Sequence, residues 1–215
     1  CYGEGDEDEG LVRGCACRGE NGFAHVSCLA RQAQVVAGRT VDRWDTCSLC
    51  KQQYHGVVRC ALGWACWKTY LGRPEADEIR CNAMNQLGLG LTAANHHEAA
   101  LSVKQAELSM LRRVGAPVQN ILGSQSNLAM TYRAFGRDEQ ALDLQREVYS
   151  VSLRLFGEHV HTLRAANNYA SSLVSLQRFE EARTLLRKTM PVARRVLGES
   201  DPVPPQPRGD CAEPL

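Results

Sequence analysis

The chain has 215 residues, with 25 basic and 24 acidic side chains and a formal net charge of +1. A balance so close to neutral supplies no global field to gather nucleic acid or an anionic lipid surface, and no apolar run approaches the ~20 residues that cross a bilayer. Six of the ten cysteines fall within the first fifty residues, so the cysteine chemistry belongs to one end of the chain.

That end has a ligand grammar. Cys15-Ala16-Cys17 is followed after seven residues by His25, after two more by Cys28, and after eighteen by Cys47-Ser48-Leu49-Cys50, with Cys1 upstream. Zinc takes four soft or borderline donors in a tetrahedron, and a close Cys-Cys or His-Cys pair supplies two of them from one tight loop. Four such pairs would hold two ions. Cys1 stands alone in the first pair, and its partner is expected three residues upstream. The competing reading of these cysteines is a disulfide framework. No hydrophobic leader is visible, and the remaining cysteines lack paired spacing, so zinc is the expectation. Cys60, Cys66 and Cys81 read as apolar packing residues. The acidic stretch Glu4 to Glu9 reads as a solvated loop between ligands.

With one residue between Cys15 and Cys17 and seven before His25, the spacing resembles the RING-CH variant of the RING family, in which histidine is the fifth ligand. The cross-braced arrangement of that family implies that Cys15, Cys17, Cys47 and Cys50 share one zinc ion, a complete site in this chain. It implies that Cys1, His25 and Cys28 belong to the other. A plant homeodomain finger uses the same ligand types in the same order with different spacing, and it stays as the rival, with histone-tail reading as its function. The RING-CH resemblance also implies contact with a ubiquitin-conjugating enzyme or ubiquitin through Leu29, next to Cys28, and Lys51, next to the last ligand. The tryptophan that RING-CH ligases commonly carry after the sixth ligand is replaced near Gln32.

Residues 57–79 read as a connecting helix and linker: Val58, Leu62, Trp64, Trp67 and Leu71 lie among small residues, and Gly72-Arg73-Pro74 marks a junction. Trp64 and Trp67 are expected to be buried anchors, since large aromatic area without polar company is usually covered.

Sliding the chain by 41 residues aligns Leu87-Gly88 with Leu128-Ala129 and Tyr169-Ala170, Ala100 with Ala141 and Ala182, and Gly157 with Gly198. A fixed period built of helix-forming residues indicates a solenoid of three repeats over residues 80–200. Each unit opens with a helix whose apolar residues recur at four and three: Leu87, Leu91, Ala94; Leu128, Tyr132, Phe135; Tyr169, Leu173, Leu176. Asn95, Gly136 and Gln177 end these helices. A second helix follows, in the middle unit with Ala141, Leu144, Val148, Val151 and Leu155 on its inner face, until Gly157 stops it. Residues 80–200 are expected to fold without the finger, with the third unit weakened by Pro191. Residues 201–215 read as a disordered proline-rich tail.

These units resemble tetratricopeptide repeats, and the long period with "Phe-Gly-Glu-His" and "Leu-Gly-Glu-Ser" between units looks like those of kinesin light chains. The resemblance implies a peptide-binding groove lined by the first helices, with Asn85, Gln86, Asn127, Arg133, Asn167, Asn168 and Ser171 as candidate contacts, although the asparagines can equally bridge repeats.

The expected fold is therefore a small zinc-stabilised cross-brace module, residues 1–56, followed by an all-α repeat solenoid. No phosphate loop, nucleophile elbow or His-Glu-x-x-His motif is present, so no residue is assigned a catalytic role. The expected function is a zinc-binding protein-interaction module. In it the finger recruits a ubiquitin-conjugating enzyme and the repeats bind a substrate or adaptor, as in a RING-type ubiquitin ligase. A non-catalytic scaffold is the alternative, and an intracellular location, cytoplasmic or nuclear, is expected for either.

Overall fold

The structure is a computed structural model that describes residues 10–36 and 41–198. Eight α-helices follow in chain order: α1 Val26–Val36, α2 Gly56–Tyr70, α3 Glu78–Ala93, α4 His97–Arg113, α5 Val118–Ala134, α6 Asp138–Phe156, α7 Val160–Ser175 and α8 Phe179–Leu197. The cysteine-bearing loops before α2 hold single 3-10 turns at Gly19–Gly22 and Asp42–Trp44 and two isolated antiparallel bridges, Val12 with Ala24 and Thr46 with Gln53. The chain divides into two compact units, 1–148 and 149–215. Cys1, Glu4 to Glu9 and the tail at 201–215 lie outside the described residues.

In the first unit α2 is a shared wall. Its Val58 and Leu62 pack against Cys15, Cys17, Cys47 and Tyr54, its Cys66 and Tyr70 against Trp44, Ala33, Val41 and Ala83, and its Cys60 against Leu87, Leu91 and Ala100. One helix thus covers both the cysteine loops and the first repeat. Two glycines let α2 and α3 meet backbone to backbone: a Cβ on Gly63 would lie 2.9 Å from the Gln86 carbonyl oxygen, and one on Gly90 would lie 2.8 Å from that of Arg59. Asp77 caps α3, its carboxylate accepting the amides of Ile79 and Arg80.

This placement corrects the reading of Trp64. Trp64 is 44 % exposed and Trp67 half-buried, while the covered tryptophan is Trp44, 1 % exposed and edge-on to Tyr70 with ring centroids 6.3 Å apart. The close approach of α2 to α3 sets Cys60, Gly63 and Cys66 toward the inner side and leaves Trp64 outward, while Trp67 packs against the clusters around Trp44 and Leu87. α2 also packs on Leu87 and Leu91 through Cys60, so the core of the first repeat extends into the connecting helix.

The repeat helices end where the period places left-handed residues. Asn95 has φ 62°, Gly136 φ 72° and Gln177 φ 58°, each following the first helix of its pair. Gly157 and Gly198, also at positive φ, close α6 and α8. In α6 the inner face differs from expectation: Leu155 is 51 % exposed, and Leu142, Gln145 and Ser152 are buried instead.

Within the second unit, Tyr149 of α6 stacks on Tyr169 of α7 with centroids 6.0 Å apart. Thr162 donates to the Ser152 carbonyl at 3.2 Å. α8 packs on α7 and runs without interruption through Pro191. The missing amide of Pro191 withdraws one helical hydrogen bond from the turn.

Candidate metal centre

The cysteine loops are folded by short backbone bonds. Cys47 donates its amide to the Gln52 carbonyl at 2.9 Å and Lys51 donates to the Cys47 carbonyl at 3.0 Å, a turn tight enough to place Lys51 at φ 60°. On the other loop, His55 donates to the Gly14 carbonyl at 3.0 Å. Gly14 lies against Val58 of α2, where a Cβ would come within 2.5 Å of the Val58 Cβ, so Cys15 and Cys17 are carried into the core. Tyr54, 5 % exposed, closes the cluster from below.

These loops bring Cys15, Cys17, Cys47 and Cys50 together, with all four sulfurs within 4.8 Å of one another. Cys17 Sγ and Cys47 Sγ are 3.8 Å apart. A disulfide would need about 2.05 Å. Four thiolates at about 2.3 Å from one zinc ion would sit about 3.8 Å apart along the edges of the tetrahedron. The donor set therefore fits zinc, and a four-sulfur site leaves no open position for a substrate.

The thiols differ in acidity. Burial first, then hydrogen bonds among the sulfurs, pushes Cys17 up to about 12. The Gln52 backbone amide, with help from the Cys17 and Cys47 thiols, draws Cys50 down to about 7. Cys15 is raised by burial, and so is the Tyr54 hydroxyl, with charge on Cys47 adding to it. Four crowded thiols resist carrying four charges unaided, and a divalent cation removes that resistance.

His25 and Cys28 form a second, partial donor set at the start of α1, with His25 Nδ1 and Cys28 Sγ 3.8 Å apart. Zinc bound to one nitrogen and one sulfur would place them about 3.6 Å apart. Cys1, the expected companion, lies outside the described residues.

Leu29 is half-buried on α1 against the cluster core. Lys51 is exposed, and its ammonium donates to the Ser48 carbonyl at 2.6 Å. Gln32 donates to Ser48 Oγ at 3.4 Å. Beside them a groove of about 740 Å³ is lined by Leu11, Phe23, Leu29, Gln32 and Leu49, among others. Leu49, 66 % exposed, went unnoticed in the sequence. The available signal was its place between two ligands of one turn, where a side chain has no interior to enter.

The repeat candidates separate. Gln86 is 9 % exposed and donates to Asp45 Oδ2 at 3.4 Å, so it binds the cysteine module and is withdrawn as a groove contact. Asn85 accepts from Lys104 through both its carbonyls, and Asn127 donates to Asn85 Oδ1 at 3.0 Å; these two asparagines bridge consecutive repeats. Arg133 is half-buried on α5. Asn167 and Ser171 are exposed on α7, with Asn168 half-buried beside them. The cysteines outside the module behave as packing residues: Cys66 is fully buried, and burial first, with the Asp45 charge adding, pushes its thiol up to about 12.

Residues 1–50 match the family model of the RING-variant domain, and residues 120–195 match that of the tetratricopeptide repeat. No curated protein sequence matches the chain. Among solved structures, the chain resembles a Podosopora anserina putative kinesin light chain with nearly identical TPR-like repeats. Identity is 16 %, over 81 % of this chain and 85 % of that one, with a TM-score of 0.53. It resembles BtubC (BKLC) from P. vanneervenii at 15 % identity over 82 % and 74 % of the two chains, with a TM-score of 0.53. A Rap protein complexed with competence and sporulation factor follows at 13 % identity over 63 % of this chain and 37 % of that one, with a TM-score of 0.55. At such identities the likeness is one of fold. The chain thus joins a RING-variant zinc-finger module, with a four-cysteine cluster able to bind zinc, to tetratricopeptide repeats folded like those of kinesin light chains.

Proposed function

We propose that the protein is a RING-type ubiquitin ligase. In this reading the finger, residues 1–56, holds a charged ubiquitin-conjugating enzyme, and the repeats, residues 80–200, hold a substrate or adaptor. Two zinc ions would be bound: one by Cys15, Cys17, Cys47 and Cys50, the other by Cys1, His25, Cys28 and an upstream ligand. Their work is structural. Rate enhancement would come from orienting the conjugating enzyme and its ubiquitin, with no nucleophile supplied by this chain. The observation that carries the reading is the pairing of the four-cysteine cluster with an apolar surface at its rim, where Leu29 and Leu49 face one groove. Lys51, fixed by the ligand turn, is the proposed cation between the conjugating enzyme and ubiquitin. In the second unit Asn167, Asn168 and Ser171 remain the proposed peptide contacts, since amides and hydroxyls both donate and accept, and in the first unit Arg133 remains one. The partners would be met inside the cell.

The scaffold alternative is favoured by one observation. Gln32 stands where the aromatic anchor of such ligases is expected, and its amide is turned toward Ser48; losing a central aromatic can remove much of an interface's affinity. Discharge of ubiquitin from a panel of conjugating enzymes, by a chain carrying the full ligand set, separates the two. The ligase reading expects stimulated discharge that Leu49→Glu abolishes and Lys51→Ala lowers, with zinc content unchanged. Absence of stimulation by a folded protein holding two zinc ions would leave the scaffold.

A further inference from the structure

α8 has two apolar faces. Ala182 and Leu185 turn inward and are buried. Phe179, Leu186 and Met190, spaced by seven and four, are 58 %, 38 % and 46 % exposed. With Val174 of α7 they line a groove of about 520 Å³. Along the same groove runs a second ridge of Arg183, Arg187 and Arg194, and no carboxylate lines it. Arg183 reaches Glu180 at 3.4 Å, while no acidic partner of Arg187 or Arg194 is found among the described residues.

The 41-residue register shows what such a face does elsewhere in the chain. Leu186 and Met190 stand where Lys104 and Leu108 stand in the first repeat. There both positions are buried, and Leu108 packs against Leu128 of the next first helix, α5. The face is thus a seat for a helix, and on α8 the described residues put none there.

The rim selects the occupant. An apolar ridge beside three cations is complementary to a helix whose apolar residues are flanked by carboxylates. A second copy seated groove to groove would set Arg183, Arg187 and Arg194 against the same arginines, since no carboxylate lines the groove. The sequence of residues 201–215, with five prolines, holds no amphipathic helical pattern. We propose that the α7–α8 groove is a docking site for an acidic amphipathic helix of a partner protein. Its apolar residues would sit on Phe179, Leu186 and Met190, and its carboxylates would pair with Arg187 and Arg194.

The test uses the full chain and two synthetic helical peptides that share one leucine pattern, flanked in one by glutamates and in the other by lysines. Fluorescence anisotropy should show the glutamate peptide binding in a salt-sensitive way and the lysine peptide not binding. The double swap R187E/R194E, on two exposed side chains, should weaken the glutamate peptide at least ten-fold and admit the lysine peptide, with helix content by circular dichroism unchanged. Equal affinity for both peptides, no binding of either, or indifference to the swap would overturn the proposal. So would binding that appears only after cleavage beyond residue 198, which would make the chain's own end the occupant. Self-association abolished by the swap would assign the groove to a second copy and likewise overturn it.

Discussion

Gln86, on the first helix of the first repeat, donates its side-chain amide to Asp45, two residues before the ligand Cys47, at 3.4 Å. Asp45 also accepts from Thr46 at 2.8 Å and from Gln53 at 3.4 Å, and pairs with Arg59 of α2 at 3.9 Å. The loop that carries two metal ligands is therefore tied to a repeat helix, and α2 lies between them. In the first unit the finger and the first repeat share one core.

Gly63, like Gly90, is a point at which a side chain would force that core open. A side chain there meets the Gln86 carbonyl at 2.9 Å and the Leu87 Cα at 3.2 Å, and the backbone atoms of α3 cannot rotate away. Gly63→Val should destabilise the first unit by about 1–3 kcal/mol, as overpacking does, despite the gain expected from removing a helix glycine. Thermal unfolding followed by circular dichroism checks this. A variant as stable as the parent would mean that α2 and α3 are held apart more loosely than their backbones indicate.

The local features were legible in the chain and the long-range ones were not. Cys15/Cys17 and Cys47/Cys50 could be paired because a ligand turn is a property of neighbouring residues. Asn95, Gly136 and Gln177 marked helix ends because a left-handed cap is also local. Trp64 and Leu155 were misplaced because size and apolarity do not tell which face a helix will turn inward; at Trp64 the approach of α3 through glycine decides it. Gln86 read as a binding residue because its partner Asp45 is 41 residues away, and nothing in either residue's surroundings announces the other.

Lys104 is another buried residue that the period alone would not single out. It is fully buried, and its ammonium donates to the Asn85 carbonyl at 3.1 Å, to Asn85 Oδ1 and to Glu107 at 3.3 Å, so all three N–H groups are used. Burial lowers the Lys104 pKa and the neighbouring Glu107 opposes this; burial raises that of Glu107, and Lys104 opposes it. Lys104→Met would leave the buried Glu107 carboxylate without its cation and take one donor from Asn85, whose side-chain oxygen keeps Asn127, and should cost about 3–5 kcal/mol. The sign with pH follows from Glu107. Its folded pKa lies above the unfolded value and would rise further without the cation. The part of the deficit that comes from Glu107 is therefore absent below the unfolded pKa, where the group is protonated in both states, and grows as pH rises through the folded one. Hydrogen exchange in α4 and α5 should show less loss of protection at pH 5 than at pH 8. The reverse order would contradict this account of the pair.

The zinc cluster is the centre of the account, and native mass spectrometry tests it most directly. A module of fifty-odd residues has little interior of its own, and structural zinc can couple about 10 kcal/mol or more of binding to folding. The parent chain should carry zinc and release it on acidification, as protons reclaim the thiolates, and Cys47→Ser should lose the ion held by Cys15, Cys17 and Cys50 while the repeats stay helical. A parent chain that is folded without metal, or a Cys47→Ser variant with undiminished zinc, would contradict the assignment.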